Sequence, residues 1–409
     1  MTTASAPVSP VGWRDDIRVM SLVGLAHASS HFSHLLLPVM FPVFVREFGW
    51  SYAQLGLLSS VFFAVSGIGQ ASSGFVVDRL GARPVLLGSL TFFVLACVLA
   101  ASANSYPAMM VVAVLAGLGN CAFHPVDFSI LNQRISSARL GYAFSVHGLT
   151  GNLGWAAAPV FFALTTTGGR WRMGYASAAV MYVVILLLLI WQRDALHTET
   201  AHAPTSTARQ PASALAFMKH AVIWWCFSYF FLSTMTLAVI QNFSVPILQS
   251  MHHVSLDQAS MTLTGYMLCG AAGMLLGGFV AARVPRWSDR VVATCMSVAA
   301  LLMGVCATGW LGPQWTMVVL AATGFAVGVG GPSRDLMIKK ATPKGATGRV
   351  YGLVYSGLDA GFAVSPLIFG VLMDKGMPGT ALAGAACVLL LSVGAALGVG
   401  RRTPHARHE

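Results

Sequence analysis

The sequence predicts an all-α membrane protein that crosses the bilayer twelve times. Of its 409 residues, 56% are hydrophobic and only 9% are charged, and the mean hydropathy is +0.72. Soluble globular proteins carry about 25% charged residues, so this composition excludes a water-soluble domain. Each predicted span is a run of about 20 apolar residues, the length that a helix needs to cross the hydrocarbon core. The runs lie near residues 19–41, 52–76, 84–103, 107–131, 141–165, 173–192, 221–245, 257–282, 290–311, 315–338, 349–373 and 378–400.

The positive charges predict how the spans are oriented. An even number of crossings places both termini on one side of the membrane. Most lysines and arginines fall on that side, and the exceptions are Arg46, Arg170, Arg172 and Lys375. Because cytoplasmic loops carry the excess of Lys and Arg, we expect both termini to be cytoplasmic and the protein to lie in the inner membrane of a bacterium. The net charge of +11 is then an insertion signal, and no nucleic-acid partner is expected.

One polar stretch between the second and third spans has a recognisable pattern. Gly74 permits close helix approach there, and Gly81 permits a tight reversal. The stretch reads Gly74-Phe-Val-Val-Asp78-Arg79-Leu-Gly81-Ala-Arg83-Pro84. It resembles the signature loop between helices 2 and 3 of the major facilitator superfamily, G-x-x-x-D-R-x-G-R-[RK], and departs from it only at Ala82. The resemblance implies the major facilitator fold, with twelve helices in two six-helix bundles. It also implies a cytoplasmic gate in which Asp78 and Arg79 contact other helix ends.

Residues 193–218 predict a division of the chain into two halves. They are rich in Thr, Ala, His and Pro and lack an apolar period, as is typical of a flexible cytoplasmic linker. The halves repeat at a shift of 207 residues, which superimposes three pairs: Pro125 and Pro332, Gly154 and Gly361, Pro159 and Pro366. We therefore expect an N-terminal bundle over residues 1–192 and a C-terminal bundle over residues 219–409, related by a parallel repeat.

The cysteines predict neither a disulfide framework nor a thiolate metal site. All seven lie inside predicted spans, and none belongs to a CxxC pair. We expect them to be small packing residues.

Ionisable residues inside the spans predict the functional site, because a charge placed in hydrocarbon costs roughly 2.5–3.5 kcal/mol. His27, His31 and His34 recur at i, i+4 and i+7, which stacks them on one face of the first helix. Later spans add four ionisable candidates, His124, Asp127, His147 and Asp359, and one uncharged polar candidate, Asn152. Histidine titrates nearest physiological pH, so we expect this set to couple protons or bind substrate. Two alternatives remain: imidazoles that only bond neighbouring helices and, with the least support, a transition-metal site.

The first half is similar to the fosmidomycin-resistance exporters and their relatives. Three stretches carry this resemblance: His27, Ser30, His31 and Phe41-Pro42 in the first span, Phe123-His124-Pro125-Val126 in the fourth, and Gly151-Asn152-Leu153-Gly154 with Pro159 in the fifth. Two residues depart from the family pattern. Val126 replaces a glutamate, and His31 stands where the family often has an acid. If those acids couple protons in the family, the resemblance implies that coupling here rests on His31, His124 and Asp127.

Charged residues of the second half support two further predictions. Arg334 occupies the position of Asp127 in the second repeat, and the two residues could pair when the cytoplasmic gate closes. A local pair between Arg334 and Asp335 is the alternative. Asp359 is the deepest unpaired acid of this half, and we expect it to face the cavity.

Together these features predict a secondary active transporter. The sequence has no nucleophile–base–acid set and no phosphate-binding loop, so we expect neither an enzyme nor a nucleotide-driven pump. The energy source would be a proton gradient, without a cofactor or a resident metal. A small organic solute would bind between the bundles and be exported in exchange for protons, and a monomer in the lipid bilayer would suffice. The alternatives are proton-coupled import of a small organic anion and a non-transporting membrane receptor or scaffold.

Overall fold

The computed structural model describes residues 13–136, 139–198, 216–341 and 347–402. Regular structure within these ranges is helical, and the α-helices are joined by short turns. They are α1 (Trp13–His34), α2 (Phe41–Phe48), α3 (Tyr52–Leu80), α4 (Ala82–Ser102), α5 (Tyr106–Asn120), α6 (Phe123–Arg134), α7 (Leu140–Thr165), α8 (Trp171–Trp191), α9 (Ala221–His252), α10 (Leu256–Arg283), α11 (Ser288–Ala307), α12 (Pro313–Ala341), α13 (Thr347–Asp374) and α14 (Pro378–Arg402).

These helices make the twelve predicted crossings. α1 and α2 form one crossing across a short break, and α5 and α6 form another. Within the described ranges, eleven crossings are long and apolar enough to span a membrane. The twelfth is α7, whose 26 residues give it the necessary length at 1.5 Å per residue. It carries His147 and Asn152 among several glycines in its middle, which makes it more polar than a typical span.

The helices form two bundles, α1 to α8 and α9 to α14. In the first, α1 packs on α7 and α4 packs on α5 and α8; in the second, α10 packs on α12 and α14 packs on α9 and α11. The repeat is visible where α3 and α10 begin. Each starts with a capping box, Ser51 with Gln54 and Ser255 with Gln258, in which each side chain bonds the other residue's backbone N–H. The predicted fold class, an all-α membrane protein of two six-helix bundles, is confirmed.

The bundles meet along two helix pairs, α3 with α13 and α7 with α10. The first pair packs closely because Gly56 has no side chain: a Cβ there would lie 2.5 Å from the carbonyl oxygen of Pro366. α3 and α13 run in opposite directions, so the start of α3 at Tyr52 meets the end of α13 at Asp374. We call this end of the molecule, opposite the chain termini, the distal end.

Asp374 joins the two bundles at the distal end. Its carboxylate oxygens accept hydrogen bonds from the backbone N–H groups of Tyr52 (2.5 Å) and Ala53 (2.9 Å). These are the first two N–H groups of α3, which the helix itself cannot satisfy, and Ser51 accepts the third, from Gln54 (3.1 Å). An acid of the C-terminal bundle thus caps a helix of the N-terminal bundle, at the positive end of that helix dipole.

The predicted linker, residues 193–218, differs from the expectation at its start. Arg193–Leu196 form a 3-10 turn whose last two residues are buried. Thr198 then accepts a hydrogen bond from the backbone N–H of Ala82, the first residue of α4 (2.9 Å). This part of the linker therefore packs on the N-terminal bundle. Residues 199–215 lie outside the described part of the chain.

Candidate functional site

Four histidines and one aspartate meet inside the N-terminal bundle. His27 and His31 lie on α1, His124 and Asp127 on α6, and His147 on α7; we call these five residues the histidine cluster. The ring centroid of His27 lies 4.4 Å from that of His31, 5.6 Å from that of His124 and 3.5 Å from that of His147. The helical spacing accounts for the pair on α1, whereas the packing of α6 and α7 on α1 brings in the other three.

Asp127 is the only acid of the cluster and is fully buried. Its Oδ2 accepts a hydrogen bond from Nε2 of His147 (3.0 Å) and lies 3.1 Å from Nδ1 of His27. Its Oδ1 has no hydrogen-bond partner in the part of the chain that the structure describes. A buried carboxylate in a membrane protein needs polar neighbours, and here the imidazoles of α1 and α7 supply them. Asp127 is thus held within its own bundle.

His34 has a different role, because both of its ring nitrogens are bonded. The indole N–H of Trp155 donates to Nδ1 (3.1 Å), and Nε2 lies 3.2 Å from Oδ1 of Asn120. Since an indole only donates, Nδ1 must be the unprotonated nitrogen and Nε2 carries the hydrogen. Asn120 also accepts from Ser30 (2.6 Å) and donates to Ser66 (2.9 Å). This closed network ties α1, α3, α5 and α7 together, so the helix-bonding alternative describes His34.

Gln70 on α3 connects the cluster to the C-terminal bundle. Its Oε1 lies 2.9 Å from Nδ1 of His124, and its Nε2 donates to Oδ2 of Asp359 on α13 (3.2 Å). Asp359 is 9% exposed. Among the described residues no ion pair reaches Asp359, but the bundle interface places the uncharged amide of Gln70 beside it. A chain of hydrogen bonds therefore runs from His124 through Gln70 to Asp359.

Arg334 takes the local alternative. Its Nε donates to Oδ1 of Asp335 (2.9 Å), and its guanidinium lies 5.1 Å from the ring centroid of Phe230. Among the described residues, no ion pair joins Arg334 to Asp127, whose charge is engaged by His27 and His147. The predicted gate pair is not formed in this conformation.

The signature loop shows one expected feature and one that differs. Gly81, between α3 and α4, has φ +83°, a left-handed conformation that favours glycine, and it makes the tight reversal. At Gly74, by contrast, a Cβ would meet no described atom within 4 Å, so the predicted close helix approach is not made there within the described part of the chain. Arg79 is exposed and Arg83 is half-buried. The side chain of Asp78 lies outside the described part of the chain.

Glycines of α7 set how closely the helix approaches α1. A Cβ at Gly154 would overlap the carbonyl oxygen of Ala28. At Gly151 a Cβ would lie 2.8 Å from Nδ1 of His31 and 3.0 Å from Nε2 of His27, so the glycine keeps open the space between these two nitrogens. Asn152 donates to the carbonyl of its own helix and faces α10 across the bundle interface, 4.0 Å from the sulfur of Met274.

Comparison with known proteins agrees with this architecture. The family model described as Major Facilitator Superfamily matches residues 23–286 and again residues 230–409. The chain belongs to the Major Facilitator Superfamily. Its family is therefore one of membrane transporters that move small molecules, and the resemblance found in the signature loop is confirmed.

Two relatives and one solved structure locate the chain within the superfamily. It is 26% identical over 366 residues to the uncharacterized MFS-type transporter YfnC of Bacillus subtilis (strain 168), covering 87% of this chain and 86% of that protein. It is 23% identical over 375 residues to the fosmidomycin resistance protein of Escherichia coli (strain K12), covering 91% and 90%. Its fold matches a bacterial homologue of the human lysosomal transporter Spinster, solved in an inward-facing and unoccupied conformation, with a TM-score of 0.74, 15% identity and coverage of 97% and 99%.

Three amide side chains inside the spans were not among the predicted site residues. Gln70 and Asn120 bond predicted candidates. Gln241 on α9 is 2% exposed, and neither of its amide atoms has a partner among the described residues. Each stands inside an apolar run, where an amide that is left unbonded costs about 1–3 kcal/mol. A search of the spans for amides as well as for charges finds all three.

Proposed function

We propose that this protein is a proton-coupled secondary transporter that exports a small organic solute by alternating access. The observation that carries the proposal is the hydrogen-bonded chain from His124 through Gln70 to Asp359. It joins a polar cluster of one bundle to a buried acid of the other, across the interface that rearranges when the bundles rock. A scaffold that does not cycle has no use for such a connection.

In this proposal Asp359 carries the proton, as intramembrane carboxylates commonly do in transporters. While Asp359 is ionised, Gln70 donates to it through Nε2 and presents Oε1 to His124. When Asp359 binds a proton, its O–H becomes a donor and Gln70 turns to offer Oε1 to it. Nε2 then donates to Nδ1 of His124, and the hydrogen of that ring moves to its own Nε2. The protonation state of one bundle thereby changes the hydrogen bonding in the other.

Export is the favoured direction. One relative is named for resistance to fosmidomycin, and removal of a toxic compound is a direct route to resistance. The charge of Arg334 is already balanced by Asp335, which weakens the case for uptake of an organic anion. The excess of basic residues on the side of the termini supports cytoplasmic termini in a bacterial inner membrane. A monomer driven by the proton gradient, without catalysis or a cofactor, meets the mechanical requirements.

Solute-driven proton movement in proteoliposomes tests the proposal. A panel of drugs, fosmidomycin included, and organic acids is added to vesicles that enclose a pH-sensitive dye. For Asp359→Asn and Gln70→Ala we expect proton movement to fall at least about tenfold, which corresponds to about 1.4 kcal/mol. Exchange of solute across the membrane without a gradient should persist in both variants, because exchange needs the binding site but not the proton.

Gln249→Ala is the matched control, since Gln249 is a half-buried glutamine near the distal end of α9 and we expect normal proton movement. Unaltered proton movement in Asp359→Asn would refute the assignment of the proton to Asp359. Loss of solute exchange together with proton movement would show that the hydrogen bonds from His124 to Asp359 have only a structural role. The sign of the pH change distinguishes export from uptake.

A further inference from the structure

Three imidazoles of the histidine cluster have the arrangement of a metal site. One ligand nitrogen from each of His27, His31 and His124 lies within 4.8 Å of the other two. A tetrahedral ion about 2.0–2.1 Å from each nitrogen holds neighbouring nitrogens about 3.4 Å apart, so small side-chain movements would complete the geometry. The ring plane of His27 is inclined by 52° to that of His31 and by 70° to that of His124. Lone pairs that lie in planes so inclined can converge on one point.

The remaining contacts of these rings also fit metal ligands. A metal-bound histidine almost always directs its second nitrogen to a carboxylate or another acceptor. Nδ1 of His124 lies 2.9 Å from the amide oxygen of Gln70, at hydrogen-bond geometry. Nδ1 of His27 lies 3.1 Å from a carboxylate oxygen of Asp127, close enough to pair although the contact is not a hydrogen bond. Both contacts leave Nε2 available as the ligand atom. Nδ1 of His31 is buried and has no hydrogen-bond partner among the described residues.

The space at the centre is kept open by the backbone of α7. A Cβ at Gly151 would lie between Nδ1 of His31 and Nε2 of His27, at 2.8 and 3.0 Å. Any larger residue would occupy the position where the two lone pairs meet. His31 and His124 are only half-buried, whereas His27 is 2% exposed, so the site has one wall inside the bundle and one more accessible side.

We propose that His27, His31 and His124 bind one divalent transition-metal ion. Three neutral imidazoles suit Zn²⁺, Co²⁺, Ni²⁺ or Cu²⁺, whereas Mg²⁺ and Ca²⁺ prefer oxygen ligands. Asp127 and Gln70 act as positioning residues that fix which nitrogen of each ring faces the ion. The fourth ligand is water, from the more accessible side. The site shares His124 and Gln70 with the proton pathway proposed above, but its test is separate, because equilibrium binding needs neither a gradient nor transport.

The second possible group, His27, Asp127 and His147, fits a metal less well. The rings of His27 and His147 are stacked, 3.5 Å apart and inclined by only 24°. Their lone pairs lie in nearly parallel planes and cannot both point at one ion. His147 instead donates to Asp127, which positions the carboxylate beside His27. In the sequence alone a metal site had the least support, because nothing placed an acid beside the i, i+4 pair; the fold supplies Asp127.

Metal binding to the purified protein tests the proposal. The full chain is purified in detergent without a polyhistidine tag and stripped of metal with a chelator. It is then titrated with Co²⁺, whose visible spectrum reports the number and geometry of its ligands. Zn²⁺ is added last, in competition with the bound Co²⁺. We expect one ion per chain. His31→Ala and His124→Ala should each lower the affinity by more than about 100-fold, and Gln70→Ala by about 10- to 100-fold, the usual effect of removing an outer partner.

Two variants serve as controls. His220→Ala removes an exposed imidazole at the start of α9 and should change nothing. His147→Ala separates the two groups: retained binding supports the site proposed here, whereas loss in His147→Ala with retention in His31→Ala overturns it. Absence of stoichiometric binding to the unsubstituted protein, or binding unaffected by His31→Ala, also overturns it. His31→Gln tests whether misfolding explains the loss of Co²⁺ affinity in His31→Ala. Circular dichroism checks that His31→Gln is folded, and we expect it to lose as much Co²⁺ affinity as His31→Ala.

Discussion

Replacing Asp374 with alanine is expected to open the distal end of the protein. The carboxylate of Asp374 joins the bundles by accepting hydrogen bonds from the N–H groups of Tyr52 and Ala53. Alternating access requires the bundles to part at this end in one half of the cycle, and these contacts exist only while it is closed. Their loss therefore destabilises the closed conformation alone and shifts the population toward the open one.

The size of this shift follows from the capping geometry. A side chain that caps a helix N-terminus contributes about 1 kcal/mol, within a range of about 0.5–2 kcal/mol. Asp374 serves two N–H groups, but its side chain is exposed, and solvent screens the additional effect of its charge. About 1 kcal/mol corresponds to about a fivefold increase in the ratio of open to closed molecules.

Pulsed electron–electron spin resonance measures this ratio. Nitroxide labels are attached at Arg170→Cys in one bundle and Trp310→Cys in the other, both exposed in loops of the distal end, in a background without native cysteines. We expect a longer-distance population to grow about fivefold in Asp374→Ala. Ser255→Ala is the control, because it removes a cap of similar energy that lies within one bundle. Equal distance distributions in Asp374→Ala and the unsubstituted protein, or an equal shift in Ser255→Ala, would refute the reasoning.

Three further substitutions have expected outcomes that thermal unfolding in detergent can check. Gly154→Ala should destabilise the fold by about 1–3 kcal/mol, because the added Cβ forces α1 away from α7. Gly148→Ala should not, because a Cβ there would lie 3.9 Å from its nearest neighbour, the sulfur of Met274. Equal effects of the two substitutions would contradict the packing argument. Gln241→Met should raise the unfolding temperature, since an unpartnered buried amide costs about 1–3 kcal/mol; a lower unfolding temperature would show that the amide is bonded. His34→Leu should lower the unfolding temperature but leave Co²⁺ binding intact, and loss of the ion would place His34 in the metal site.

The fold could be predicted from the sequence because the bilayer imposes a length on every crossing. The apolar runs mark the hydrocarbon segments, and the structure contains a crossing at each of them. Helix ends were less accessible to prediction: the second run was placed at 52–76, whereas α3 extends to Leu80. A helix continues beyond the hydrocarbon for as long as its backbone bonds are satisfied. The composition of a run therefore does not determine where its helix stops.

The candidate site was predictable in part, since a period of 3.6 residues places His27 and His31 on one face whatever surrounds them. The partner of Asp127 could not be predicted from the sequence. The internal repeat aligns Asp127 with Arg334, and opposite charges in matching positions suggest a pair. Symmetry-related positions need not touch, however, and the packing of α1 and α7 places imidazoles around the acid first.

Gln70 shows why the connection between the bundles escapes a search for charge. Its neighbours, His124 and Asp359, present a ring nitrogen and a carboxylate, so the residue between them has to accept on one side and donate on the other. A carboxylate can only accept when ionised, and an ammonium can only donate. An amide does both, and it can exchange its two ends by turning about one bond, without moving a charge through the interface. The side chain best suited to link two bundles that separate and rejoin is therefore an uncharged one, which hydropathy alone does not single out.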